Sequence, residues 1–436
     1  MDVANIRIFL QLFLFGTSLF CVGCGKLAEK STQATVFPET KSACAATAVP
    51  NQFIVRWKDG STSVETAKDR AAFIQEIIEP YLDDIEIAEH DQIISINRPT
   101  STNRPGPSGR PSSSIKHSAS VEINSADLSL PATDWGQTIV NAPAAWSEGV
   151  TGEGITVAII DSGVDTTHPQ IQPRLLINRD EIPANEIDDD HNGYVDDVTG
   201  YDFDKRTGLV TDGSGHGTHV SGIILADHST GLVKGLAPGA SLLPLDFMDD
   251  SGTGSLGVAI EAMHYAASRG ARIINASWGG APCSLTLQKE IQDLATHGIL
   301  FVSAAGNDGV NIEAAPEYPA SFGLENQLTV GASTERDYMA GYSNFSYRLV
   351  NIMAPGSSIF STYPGGLTKI MSGTSMSAPF VSGAAALVWS VRPNATYSQV
   401  RDALLNSVDK GNYAVSSGGR LNVAQAIIEI KRTVSQ

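Results

Sequence analysis

From residue 134 onward, short apolar runs of strand length alternate with longer stretches of helical character, and this rhythm restricts the fold more than any other feature of the chain. The runs at 155–160, 241–245, 272–276 and 299–304 are predominantly apolar. A strand with one wet face alternates polar and apolar side chains, so such runs belong to strands buried on both faces. Joined by helix-length connections, they predict an α/β fold with a parallel central sheet flanked by helices. The chain has 436 residues, room for one dominant domain of about 300 residues and smaller N-terminal pieces. We place that domain at 133–436.

Ahead of it, residues 53–57 read as a strand, 63–78 as an amphipathic helix and 93–96 as a returning strand, together a small α+β unit over 48–99. Residues 100–132 turn to Ser, Pro, Gly and Arg, a composition that cannot bury a core and reads as an exposed linker open to proteolysis. The chain opens with a single arginine at Arg7 and then an apolar run over 8–22, the layout of a secretory signal at 1–23. A polar segment follows at 24–47. The alternative, a membrane anchor, needs about 20 apolar residues, more than this run supplies.

Lysine and arginine total 29 against 47 acidic residues, a formal charge of −18, which speaks against nucleic acid as a partner. Four cysteines, two of them within the first 24 residues, are too few for a disulfide scaffold and form no zinc pair in the body of the chain. A bridge between Cys44 and Cys283 is one pairing left open.

Three segments of the main domain carry chemistry. The run Val157-Ala158-Ile159-Ile160 ends in Asp161-Ser162-Gly163, a carboxylate at the carboxyl end of a buried strand, where sites on such sheets gather. Gly215-His216-Gly217-Thr218-His219 puts an imidazole at a helix start, and Gly373-Thr374-Ser375-Met376-Ser377-Ala378-Pro379 puts a serine at a glycine-led turn into an Ala- and Gly-rich helix, with Pro379 in its first turn. A serine hydroxyl is a weak nucleophile, so His216 must take its proton and later deliver it to a leaving group. Asp161 fixes the imidazole tautomer and stabilises its cationic form. A helix N-terminus under Ser375 favours developing negative charge, and Asn307, at the end of the 301–304 run, supplies a further donor. The spacing of His216 and His219 also fits two metal ligands one helical turn apart, but the glutamate that accompanies such a zinc pair is missing.

The order aspartate, histidine, serine, with these three blocks, resembles the subtilase family of subtilisin-like serine peptidases. The resemblance runs from about Trp135 to Ala426, and Asn307 matches the family's oxyanion asparagine. It implies a serine endopeptidase acting on protein or peptide substrates through an acyl-enzyme on Ser375, with no cofactor in the chemistry. It further implies that Ala276-Ser277-Trp278-Gly279 is an edge strand that pairs with substrate, and that Ala304, Ala305 and Gly306 wall the opposite side of the primary specificity pocket. Glu317-Tyr318-Pro319 resembles the segment closing that pocket's base. A carboxylate there either pairs with an arginine or lysine preceding the cleaved bond or points to solvent.

Residues 48–99 sit where subtilases carry an inhibitory propeptide, which implies a secreted zymogen with its own propeptide as a partner in cis. Self-cleavage in the linker has Arg98, Arg104, Arg110 and Lys116 as candidate positions. Cys21-Val22-Gly23-Cys24 resembles a bacterial lipobox, which implies acylation at Cys24 and contact with a membrane only through that lipid.

The loop 188–197 packs five carboxylates and an asparagine around a glycine turn. Asp188, Asp190 and Asn192, a Tyr194 carbonyl and Asp196 or Asp197 resemble an EF-hand calcium loop without its closing glutamate. A solvated acidic loop is the alternative. Similar loops occur between the aspartate and histidine blocks of subtilases, which implies structural calcium. Two rival functions stay open: a silent peptide-binding module, and an acyl transferase that uses the same nucleophile on another acceptor.

Overall fold

The computed structural model describes residues 35–36, 48–96, 134–280 and 283–432. The segments read as a signal (1–23) and a linker (100–132), together with Cys24, Cys44 and the candidate cleavage positions Arg98, Arg104, Arg110 and Lys116, lie outside the described residues. A nine-stranded sheet runs in the order Asp409–Lys410, Gly419–Arg420, Ile352–Pro355, Gln327–Ser333, Leu300–Ala304, Ile273–Ala276, Thr156–Asp161, Ser241–Asp246 and Tyr201–Asp202. Every neighbouring pair is parallel except the short one at the 409–410 edge.

Both faces are dry, as the apolar runs require. Along Thr156–Asp161, Val157 and Ile159 join the cluster that holds helices His216–Leu225 and Thr374–Val391, while Ala158 and Ile160 join the one that holds Leu256–Ser268 and Leu285–Leu294. Each such side chain taken from water contributes about 1.5–3 kcal/mol, so the two-sided register is strongly specified.

Helix Thr374–Val391 is buried from 374 to 389. Its small residues permit this: a Cβ at Gly383 would stand 2.7 Å from Leu236 Cβ. Pro379 lies inside the helix, in its second turn rather than the first, because the helix already begins at Thr374. The missing N–H leaves the carbonyl of Ser375 without its helical donor, and Ser277 Oγ donates to that carbonyl at 2.9 Å instead.

The N-terminal unit pairs Ala48–Trp57 antiparallel with Thr62–Thr66 and with Ile85–Ser95, and Thr35–Val36 runs parallel to 87–88. The helix expected over 63–78 is displaced. Residues 62–66 are a hairpin strand turned at Gly60, whose φ is +92°, and the helix starts only at Arg70, capped by the Asp69 carboxylate. The β-branched side chains of Thr62, Val64 and Thr66 favour the strand once a partner strand is present.

Two buried carboxylates dock the unit. Asp91 accepts Ser255 Oγ at 2.9 Å and Gly257 N at 3.0 Å, at the N-terminus of Leu256–Ser268. Glu89 accepts Leu285 N at 3.3 Å, Thr286 N at 3.1 Å and the Ser284 hydroxyl, at the N-terminus of Leu285–Leu294. Helix N-termini favour such anions, yet burial dominates and pushes both carboxyls upward. Arg56, almost fully buried, pairs with Glu86, Glu290 and Asp293. Ile54 and Ile94 belong to the main domain's own apolar cluster.

Strand Ile85–Ser95 continues past the unit. Residues 93–95 pair antiparallel with Thr253–Ser255, and Ser95 O accepts Gly279 N at 3.4 Å. Cys283, between these contacts and the 285–294 helix, is disulfide-bonded to a partner outside the described residues.

Replacing Glu89 or Asp91 by alanine removes a helix-capping carboxylate, and each change is expected to lower the stability of the full chain by about 1–2 kcal/mol. Denaturant unfolding measures this, and a variant as stable as the parent would contradict the docking role.

Candidate active site

Asp161 ends strand Thr156–Asp161 and is fully buried. Its Oδ1 accepts Ser162 N at 2.8 Å and His216 Nδ1 at 2.7 Å. His216 opens its helix, and the approach needs two glycines. A side chain at Gly217 would collide with the Gly163 carbonyl, and one at Gly163, where φ is +81°, with the Thr211 carbonyl. Ser162 ties the pieces together, accepting Gly217 N at 3.1 Å and donating to Asp212 at 3.0 Å. Asp212 in turn accepts Gly215 N at 2.7 Å and Thr218 N at 2.8 Å, capping the helix that carries the imidazole.

Ser375 stands in the first turn of helix Thr374–Val391 and donates to the Ser277 carbonyl at 3.0 Å. His216 Nε2 is buried and has no hydrogen-bond partner. The structure thus joins Asp161 to His216, and Ser375 to Ser277, with the serine–imidazole bond not made. Asn307 Oδ1 accepts Thr374 N at 2.8 Å, which fixes the orientation of the amide. A Cβ placed on Gly373 would lie 3.6 Å from Asn307 Nδ2, 3.7 Å from its Oδ1 and 3.7 Å from Ser375 N, so the amide and the serine's backbone nitrogen lie close to one point.

Sheet strand Ile273–Ala276 ends at the first residue of the expected edge segment. Of that segment, Gly279 makes the backbone bridge to Ser95, Ser277 contacts Ser375, and Trp278 turns inward, donating to the Ile160 carbonyl at 2.7 Å and packing on Phe247. Ala304, Ala305 and Gly306 are buried. Glu317 is also buried, only 8% exposed, and faces Gly279 and Gly306 rather than solvent. Its carboxylate accepts Asn344 Nδ2 at 2.8 Å.

Asn344 gave no signal in the sequence, yet it organises the whole turn. Its Nδ2 also donates to the Ala305 carbonyl at 3.0 Å, and its Oδ1 accepts Asp308 N and Val310 N, each at 3.1 Å. The turn it holds presents Asn307.

His219 is fully buried, and its Nε2 lies 3.1 Å from the Ile359 carbonyl and 3.0 Å from that of Lys369. Burial drives its pKa down to about 3, so it stays a neutral donor to these carbonyls rather than a metal ligand. Asp246, the register partner of Asp161, is pushed up to about 9 by burial and then by Asp202. It stays protonated at neutral pH and adds no second charge beside Asp161.

In the acidic loop, carboxylate oxygens of Glu181, Asp188 and Asp190 lie within 4.8 Å of one another. Glu181 was not anticipated, because it stands outside the 188–197 pattern. It also accepts Asp189 N at 2.8 Å and Asp196 N at 3.0 Å. The remaining residues of the pattern are engaged within the protein. Asp197 is buried and accepts Asn178, Asn192 and the Tyr265 hydroxyl; Asp196 accepts Asn185 N; the Tyr194 ring packs on Tyr201 and Tyr265.

Residues 152–421 match the model of the Subtilase family. Subtilisin Savinase of Lederbergia lenta is 33% identical over 293 residues, which span 67% of this chain and 97% of that protein. Subtilisin E of Bacillus subtilis (strain 168) is 35% identical over 294 residues, 67% of this chain and 70% of that one. Among solved structures, a cold adapted subtilisin-like serine proteinase superposes with a TM-score of 0.51 at 29% identity, covering 62% of this chain and 88% of its own. With a parallel sheet of the same fold and a family match over most of the main domain, the chain belongs to the subtilase family and is a serine-type endopeptidase.

Proposed function

We propose that residues 133–436 hydrolyse peptide bonds through an acyl-enzyme on Ser375, with Asp161, His216 and Asn307 as its partners. The observation that carries this reading is the 2.7 Å bond from His216 Nδ1 to Asp161, which leaves Nε2, buried and without a hydrogen-bond partner, as the ring nitrogen that can take a proton. In the first step Ser375 Oγ turns from the Ser277 carbonyl, gives its proton to Nε2 and bonds to the substrate carbonyl carbon. The oxygen takes up negative charge facing Asn307 Nδ2 and Ser375 N. The carbon–nitrogen bond then breaks as Nε2 returns the proton to the amine, and water, deprotonated by the same nitrogen, releases the acid.

Substrate would lie as an extended strand between Thr253–Ser255 and Gly279, the place that residues 93–95 hold. That occupation supports reading residues 48–99 as a propeptide in a secreted zymogen. We propose self-cleavage between 97 and 133. The other cysteines, Cys21, Cys24 and Cys44, all precede residue 48, so the Cys283 bridge, with Cys44 as the partner we propose, spans that cut. Acylation at Cys24 would then hold the cut enzyme at the cell envelope. Glu181, Asp188 and Asp190 would hold a calcium ion, a hard cation suited to an all-carboxylate donor set, and it would brace the loop without entering the chemistry.

A serine-directed fluorophosphonate is expected to label the protein, and Ser375→Ala to abolish both label and peptide cleavage, while Asn307→Ala lowers turnover by about 10²–10³. Labelling that survives Ser375→Ala would overturn the assignment. On electrophoresis the cut protein should stay joined without reductant and separate with it, and reduction should release the catalytic part from the detergent phase. Cys283→Ser should separate without reductant. A calcium chelator should lower the thermal midpoint, and Asp188→Asn together with Asp190→Asn should remove that sensitivity.

A further inference from the structure

We infer that Glu317 makes the primary specificity pocket a receptor for a basic side chain, so that the preferred substrates are peptides with arginine or lysine immediately before the cleaved bond. This rests on the endopeptidase reading above. Glu317 is placed for the task by the two glycines around it. Its Oε1 lies 3.4 Å from where a Cβ on Gly279 would stand, and a side chain on Gly306 would collide with its Oε2. Gly279 also bridges to Ser95, at the end of strand Ile85–Ser95, and Gly306 immediately precedes Asn307. The carboxylate therefore sits between the backbone that grips substrate and the donor that faces the reacting carbonyl.

Asn344 Nδ2 fixes Oε2 at 2.8 Å, so the carboxylate is oriented before substrate arrives. A guanidinium or ammonium reaching it would form a charge-assisted bond in a buried setting, stronger than the same bond in water. Burial, then the charge of Asp308, raises the Glu317 carboxyl to about 8. Among the described residues, Asp308 is the titratable group acting on it. Below that pH the free pocket holds a neutral acid; above it, an anion. A raised carboxyl pKa means that the anion, and with it the attraction for a cation, is gained as pH rises through about 8. Preference for basic over apolar substrates should grow over that interval.

A purely structural Glu317 would act only by holding Asn344 and the turn beneath Asn307. Glu317→Gln separates the two, because it keeps an oxygen for the Asn344 amide and removes the charge. The experiment measures kcat/KM on peptides differing only in the residue before the cut, arginine, lysine or leucine, from about pH 6 to about pH 9. The same preparations are titrated with fluorophosphonate to count competent sites. The parent should favour arginine over leucine by about ten- to a hundredfold at the upper pH, with a smaller ratio at the lower. Glu317→Gln should lose most of that ratio and its pH dependence while still taking up the label. A parent that cuts after leucine as well as after arginine at the upper pH, or a Gln variant that keeps the ratio, overturns the pocket assignment alone. A parent that takes no label and cuts none of the peptides overturns the endopeptidase reading with it.

Discussion

Everything at the site is referred to one buried helix. Thr374–Val391 runs through the apolar core against the sheet and against helix His216–Leu225, so neither its axis nor its first turn can shift without opening voids. That fixity is spent at its N-terminus. Thr374 N binds the Asn307 amide, and the Ser375 carbonyl, released by Pro379, binds Ser277. One proline thus links the backbone of Ser375 to the segment that follows strand Ile273–Ala276. The serine side chain is left as the movable part of an otherwise rigid arrangement.

The second constraint is the docking of the N-terminal unit on the helices Leu256–Ser268 and Leu285–Leu294. Their N-termini each leave backbone N–H groups without helical partners, and Asp91 and Glu89 supply acceptors from a single strand, two residues apart and on the same face. The ends of these helices are completed by residues of another unit. A parallel sheet of this size joins segments distant in sequence, which makes its formation slow.

The central sheet and the three residue blocks of the site were legible because each has a local signature. Two-sided burial writes a continuous apolar run, and the glycines beside Asp161 and His216 are demanded by backbone contacts within a few ångströms. Asn344, Asp212 and Glu181 were not legible. Each acts through hydrogen bonds to backbone N–H groups, from three residues away at Asp212 to more than thirty at Asn344, and a lone polar residue in a turn looks the same in sequence whether it faces water or a buried N–H. The misplaced helix at 63–78 has the same origin. Its apolar spacing suits a helix, but pairing with Ala48–Trp57 outweighs local preference and turns its first residues into a strand. In the acidic loop the regular spacing showed the carboxylates but not their partners: Asp188, Asp189, Asp190 and Asp196 each accept a backbone N–H from within residues 182–192.

Strand Ile85–Ser95 belongs to two sheets at once, pairing with Ala48–Trp57 along one stretch and with Thr253–Ser255 along the next. It is therefore one extended segment, about 3.3 Å per residue, with one end paired inside the small unit and the other against the main domain. Loss of the small unit's core would remove the anchorage of residues 93–95, so the two sets of contacts hang on one backbone.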